Sequence, residues 1–192
     1  SAGPVRTSVH INELLASERA VRIADEIGWR AGEAFARYLL ADCLAWRGEY
    51  ARAMRVAREA LTSAQEIEHL EWQCGARRVV GVIALDLFDM PGALAQLQAA
   101  HDIAQRLGSA TWIRWTGGPL AIALARADRP DDAAAVLDAV DRRVPTPRDA
   151  PTSRSRAPRT LGERIIVIAR AEIAMAACAP AVRASMARQR MA

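Results

Sequence analysis

Lysine is absent from the chain, and all 26 basic residues are arginine. A Walker A phosphate loop, a Schiff-base enzyme and a kinase-type phosphate clamp each depend on a lysine amine. Arginine cannot replace it as a nucleophile, because the guanidinium stays protonated in proteins. These enzyme classes are therefore excluded. The sequence also offers no cluster of titratable residues for another class, so we expect no catalytic activity.

Aromatic residues, glycine and proline are also scarce. Phe, Trp and Tyr make up 5% of the 192 residues, although 52% of the residues are hydrophobic, because alanine is used heavily where a core would use larger side chains. Alanine favours helices and lets them pack closely. The few glycines and prolines fall mostly between apolar periodic segments, and no stretch sustains the alternation of a β-strand. The sequence predicts an all-α protein.

Cysteine and histidine are too few and too widely spaced for a metal site. Cys43, Cys74 and Cys178 form no CxxC pair, and an odd number of distant cysteines does not suit a disulfide framework. The three histidines have no HExxH or comparable ligand spacing. We expect reduced thiols, no metal and no cofactor.

Long hydrophobic runs are missing as well. The longest run, residues 79–85, is too short to cross a bilayer and is followed at once by Asp86. Residues 1–8 lack both the charged and the apolar region of a signal peptide and an initiator methionine, which suggests a fragment or processed chain. We predict a disordered N-terminus over residues 1–9, a cytoplasmic location and no membrane partner.

The net charge of +4 is distributed unevenly along the chain. Residues 1–140 hold 15 arginines and 18 acidic residues, whereas residues 141–192 hold 11 arginines and 4 acidic residues. The segment 144–159 is rich in Arg, Pro and Ser without an apolar stripe, which predicts a flexible loop. Because the chain before it is net negative, the charge distribution disfavours nucleic acid as a partner.

A shift of forty residues superimposes the sequence on itself. It places Ala41 on Gly81 and Ala121, and Trp72 on Trp112. Apolar residues between 53 and 67 follow the i, i+3, i+4, i+7 spacing of one helix face. Each forty-residue unit is therefore predicted to fold as a hairpin of two helices. Breaks between helices are predicted at Gly28–Trp29, Arg47–Gly48–Glu49, Phe88 to Pro91, Gly108–Ser109 and Asp128 to Pro130.

The clearest resemblance to a known family lies in residues 39–61, LLADCLAWRGEYARAMRVAREAL, which look like a tetratricopeptide repeat. Residues 79–103 and 119–140 resemble the repeat with changed turns. The resemblance implies a right-handed α-solenoid of antiparallel helix hairpins with a repeat of about 40 residues. The predicted organisation is a half-repeat helix 10–27, repeat units 31–69, 70–109 and 110–143 within a domain 10–143, and a degenerate C-terminal hairpin or cap 160–192.

Long hairpins of this kind resemble the repeat domains of large bacterial regulators, including LuxR-type activators and related signalling ATPases. In such repeats the first helix of each hairpin lines a concave surface. Carried over to this sequence, that surface consists of Phe35, Tyr38, Asp42, Arg78, Val82, Leu85, Arg114, Gly118 and Ile122. Trp115 departs from the repeat pattern and is a further ligand candidate. Arginine can bind a carboxylate through two hydrogen bonds, and tyrosine can stack, but each residue fits ordinary helix packing equally well.

The resemblance implies a non-catalytic scaffold that binds a protein or peptide partner through its concave face, within a regulatory protein. The alternative is a domain that senses a small-molecule effector, bound between repeats near Trp115, Gly117 and Arg78. Pro119 lies within a predicted helix and predicts a kink there, which could widen the groove. An exposed end of the repeat array could pair with that of a second copy, so a homodimer is a further alternative.

Overall fold

The structure is a computed structural model that describes the backbone of residues 5–143, 168–170 and 173, with side chains from residue 14 onward. Within these residues the regular structure is entirely α-helical, as the sequence predicts. The helices are α1 (Val5–Glu26), α2 (Arg30–Trp46), α3 (Tyr50–Glu66), α4 (Leu70–Asp86), α5 (Met90–Leu107), α6 (Ala110–Arg126) and α7 (Pro130–Arg143). The chain divides into two compact units, Ser1–Leu107 and Gly108–Ala192.

The turns between these helices are regularly spaced along the chain. Their left-handed residues, with positive φ, are Gly28, Gly48, Glu68, Phe88, Gly108 and Asp128. After Gly48 the N–H of Glu49 donates to the carbonyl oxygen of Leu44 at 3.0 Å, which is the Schellman arrangement that ends a helix. Because each turn is so short, consecutive helices within a unit fold back on each other as antiparallel neighbours.

Three of these turns have a non-glycine residue in the left-handed conformation. Glu68, Phe88 and Asp128 have φ values of 54°, 61° and 59°, which costs on the order of 1–2 kcal/mol for a residue with a Cβ atom. The turn at residues 67–69 contains neither Gly nor Pro and is missing from the five predicted breaks, although the predicted boundary between units 31–69 and 70–109 coincides with its end. The other turns lie where the sequence predicts breaks.

Helix starts depend on local capping and on the absence of helix breakers. The side chains of His69 and Ser109, forty residues apart, accept hydrogen bonds of 3.4 Å from the N–H groups of Trp72 and Trp112. Helix α1 begins at Val5, within the segment predicted to be disordered. No glycine or proline interrupts residues 5–27, so nothing in the sequence stops the helix from extending before residue 10.

Small residues bring the helices of the first unit close together. Helix α2 packs against α1, α3 and α4, and α4 packs against α3 and α5. Along α3 the fully buried alanines recur at helical spacing and are Ala53, Ala57, Ala60 and Ala64. The larger residues Leu44, Val79, Ile83 and Leu97 are also fully buried. This alternation of small and large side chains lets closely spaced helices fill their core without voids.

The second unit is built on the packing of α6 against α7. Helix α6 continues through Pro119, and the Thr116 hydroxyl donates to the carbonyl oxygen of Trp112 at 2.8 Å within the preceding turn. After α7, Arg170 forms an ion pair with Asp141. The predicted loop 144–159 lies outside the described residues, as does the predicted cap 160–192 apart from residues 168–170 and 173, which are helical.

None of the helices that the structure describes combines the length and the hydrophobicity needed to cross a membrane.

Candidate functional site

Helices α2 and α4 bring together four of the residues that the sequence assigns to a concave face. An Arg78 Nη2 donor lies 2.9 Å from the Oδ1 atom of Asp42. Arg78 is 6% exposed, whereas the Asp42 side chain is 23% exposed and keeps part of its carboxylate in contact with solvent. A buried guanidinium is thus fixed by a carboxylate on the neighbouring first helix.

An aromatic cluster lies beside this ion pair. The ring of Phe35 lies 4.6 Å from Trp72 and 5.5 Å from Tyr38, centroid to centroid, and Tyr38 stacks on Trp72 at 6.0 Å. On its other side Trp72 stacks almost parallel on His69, at 4.8 Å and 3°. We call these four residues, Phe35, Tyr38, His69 and Trp72, the aromatic face.

The aromatic face is only partly covered by the protein. Tyr38 is 4% exposed, but Phe35 is 36% exposed, and His69 and Trp72 are half-buried. Tyr38 is therefore the buried member of the cluster, while Phe35 and Trp72 are partly exposed to solvent. Rings held by their neighbours lose little conformational freedom on binding, which makes them effective contact residues.

Tyr38 is held in its neutral form. Burial raises the pKa of its phenol to about 12, although the Arg78 guanidinium acts in the opposite direction. A phenol with so high a pKa stays protonated near neutral pH, so Tyr38 does not act as a general base there. Its part in the site is to support the rings of Phe35 and Trp72.

Trp72 also belongs to this site, although the sequence does not assign it to the concave face. It joins α2 to α4 through its contact with Phe35 and keeps part of its surface in solvent. His69 joins the site by stacking on Trp72, and its side chain also caps α4. The presence of aromatic residues on two consecutive first helices, α2 and α4, is the sequence signal that could have identified the cluster.

The remaining predicted site residues on α4 contribute little surface. Val82 is half-buried and Leu85 is 5% exposed. Leu85 was predicted to face the groove, but the structure places it in the core, where a partner cannot reach it. The apolar character that suggested a contact residue is used for packing within the unit.

Four predicted residues lie on α6 in the second unit. Gly118 is buried and Ile122 is 8% exposed, whereas Arg114 and Trp115 are half-buried. The ring of Trp115 meets that of Trp112 edge-on at 5.6 Å. Within this unit, Arg114 and Trp115 are thus the members of the predicted set with side-chain surface to offer.

Cys74 lies on α4, in the core of the first unit, and is expected to resist modification. It is fully buried, its thiol donates to the carbonyl oxygen of Ala100 at 3.3 Å, and burial raises its pKa to about 12. In a chain with Cys43→Ser and Cys178→Ser, we expect native Cys74 to react with DTNB on the order of 100-fold more slowly than in urea, because reaction requires opening of the structure. Comparable rates in the two states would contradict this burial.

The same thiol makes stability depend on alkaline pH. The pKa of the thiol in the folded state lies above its ordinary value of 9.0. The neutral thiol therefore favours the folded state below pH 9, and this contribution is lost between pH 9 and about 12. Cys74→Ala should lose less stability than the parent chain over that range. Unfolding by urea at pH 8 and pH 10.5 measures the difference.

No group of three or more His, Cys, Asp or Glu residues in the described part of the chain is arranged to hold a metal ion. Comparison with known proteins finds no family model that matches the sequence, and no curated protein resembles it significantly.

Proposed function

We propose that this chain is a non-catalytic helical-repeat scaffold that binds a segment of a protein partner through the aromatic face. The observation that supports this most directly is the pair of partly exposed rings, Phe35 and Trp72, which lie 4.6 Å apart on neighbouring first helices. Exposed aromatic residues anchored by packing are typical centres of binding surfaces.

The regular turns support the architectural part of the proposal. Left-handed residues recur from residue 28 to residue 128 in steps of twenty, and the capping residues His69 and Ser109 are forty residues apart. These spacings favour a repeat of helix hairpins every forty residues. The right-handed, tetratricopeptide-like solenoid is the arrangement that the sequence resemblance implies, and we include it in the proposal. A cytoplasmic regulator is the setting that suits such a module.

The polar residues beside the rings favour a peptide as the bound group. The Asp42 carboxylate is partly exposed and can accept a hydrogen bond from a backbone or side-chain donor. Arg78 holds that carboxylate at 2.9 Å, so its orientation is fixed before a partner arrives. An apolar side chain of the partner would pack on Phe35 and Trp72 while a donor next to it reaches Asp42.

The test compares the only two phenylalanines of the chain. Peptides selected from a random display library on the full chain would be measured for affinity against Phe35→Ala and Phe88→Ala. Loss of a central aromatic contact costs about 2 kcal/mol or more, which is roughly thirtyfold in Kd. We expect a loss of that order for Phe35→Ala, and less than about twofold for Phe88→Ala.

Phe88 is a matched control because it is 80% exposed, lies in the turn after α4 and has no ring contact with the aromatic face among the described residues. Equal losses for the two variants would refute the proposal, because binding would then depend on exposed hydrophobic surface in general. Selected peptides that bind Phe35→Ala as tightly as the parent chain would refute it too.

A further inference from the structure

A second surface of the first unit lies along α3. It is an open groove of about 520 Å³ lined by Arg37, Ala51, Met54, Arg55, Arg58, Glu59, Thr62 and Ser63. All of these residues except Arg37 belong to α3, whereas the aromatic face is formed by α2, α4 and the residue that caps α4. We call it the α3 groove.

The charge of the α3 groove is opposite to that of its surroundings. Three arginines and one glutamate line it. Residues 14–107, whose side chains form the described part of this unit, hold 11 arginines and 13 acidic residues. Positive charge is thus concentrated in a groove on a unit that is otherwise net negative, which favours an anionic group as its occupant.

The arginines of the groove differ in how fully they are already engaged. Arg37 lies 2.5 Å from Glu33 and donates to the Ser63 hydroxyl at 3.4 Å, so it is part of the fold. Arg55 makes only a distant approach to Glu59, at 3.9 Å, and its side chain is 69% exposed. Arg58 forms no ion pair or hydrogen bond with the described residues, which leaves its guanidinium able to bind a carboxylate through two hydrogen bonds.

The length of the groove selects among anionic ligands. From Ala51 to Ser63 the helix rises about 18 Å, at about 1.5 Å per residue. An extended chain covers that distance with about five or six residues, at roughly 3.3 Å each. A single small anion would leave most of the groove empty, including the apolar end at Ala51 and Met54.

We infer that the α3 groove binds an extended acidic peptide segment. An apolar residue of the segment lies against Ala51 and Met54, and its carboxylates face Arg55 and Arg58. The hydroxyl of Thr62 can donate to the backbone of the segment at the far end. This inference does not depend on the aromatic face, because the two surfaces share no residue.

The probe is a fluorescein-labelled hexapeptide of one leucine and five glutamates, measured by fluorescence anisotropy on the full chain. We expect Arg55→Gln and Arg58→Gln each to weaken binding about two- to fivefold, which corresponds to about 0.4–1 kcal/mol and lies within the range for an exposed ion pair. The double variant should lose roughly tenfold, and binding to the parent chain should fall steeply between 50 mM and 500 mM salt.

Arg106→Gln, in the last turn of α5, changes the net charge equally outside the groove and should leave affinity within about twofold. An equal loss for Arg106→Gln would overturn the inference, as would tight binding of the same peptide with glutamines in place of glutamates. Displacement of the probe by inorganic phosphate at constant ionic strength would also overturn it, because the groove would then be a small-anion site.

Discussion

Replacing Leu97 with alanine is expected to lower the free energy of unfolding by about 2–5 kcal/mol. Leu97 is fully buried on α5 and packs directly against Gly81 of α4. Its removal leaves a cavity, because the helices on either side are held by short turns and cannot close the gap freely. Urea unfolding followed by circular dichroism measures the effect.

The contact between Leu97 and Gly81 also predicts that substitutions at these two positions have coupled effects on stability. A Cβ atom on Gly81 would lie 2.6 Å from Leu97 Cγ and 3.2 Å from its backbone nitrogen. We therefore expect Gly81→Ala to lower the free energy of unfolding by about 1–3 kcal/mol, although alanine in a helix is otherwise better than glycine by about 0.5–1 kcal/mol. In the Leu97→Ala background the contact with the leucine side chain is gone, while the 3.2 Å approach to the backbone nitrogen remains, so the same substitution should destabilise the chain much less.

The preceding repeat already has alanine at both of the equivalent positions. Ala41 and Ala57 occupy the positions that correspond to Gly81 and Leu97, and both are fully buried. Gly32→Ala serves as the control, because the Cβ there would meet the ring of Trp29, which is 59% exposed and can move. Additive effects of Gly81→Ala and Leu97→Ala would show that the two positions are not coupled as the structure indicates.

Asp42→Ala is expected to lower the free energy of unfolding by about 3 kcal/mol. The variant removes the carboxylate that lies 2.9 Å from Arg78, whose guanidinium is held at 6% exposure by the surrounding helices. Arg78→Met should cost less, because it removes the buried charge together with its need for a counter-ion. Thermal and urea unfolding of both variants give the comparison.

The control for this prediction is Asp25→Ala, which removes an exposed carboxylate near the end of α1 and should change stability by no more than about 0.5 kcal/mol. Adding Arg78→Met to Asp42→Ala should restore part of the loss. If Asp42→Ala were as mild as Asp25→Ala, the ion pair would have no structural role, and the orientation of Asp42 in the binding site would need another explanation.

Local signals predict the helices well and fail where a turn has no local signature. Gly28, Gly48 and Gly108 identify their turns because glycine adopts positive φ without strain. Glu68 adopts the same conformation without that signal. Its turn follows from the end of the α3 apolar face and from the His69 cap of α4. A sequence pattern shows such a turn only when the whole repeat register is considered.

The candidate sites were predicted less completely than the helices. The register places Phe35, Tyr38, Asp42 and Arg78 on first helices, and the structure brings these residues together between α2 and α4. Leu85 was assigned to the same surface but is buried, because the register does not determine how far each helix is rotated about its axis. The α3 groove was not predicted, since its arginines look individually like ordinary solvated side chains.

The sequence alone determined the helical class of the described residues and the position of most turns. These properties depend on residue identity and on spacing over a few turns of helix. Only the tertiary structure decided that Phe35 lies against Trp72, that Gly81 admits Leu97, and that Arg55 and Arg58 line one groove. These arrangements depend on how neighbouring helices pack against each other and on which face of a helix stays exposed. The spacing of apolar residues within one helix does not determine that packing.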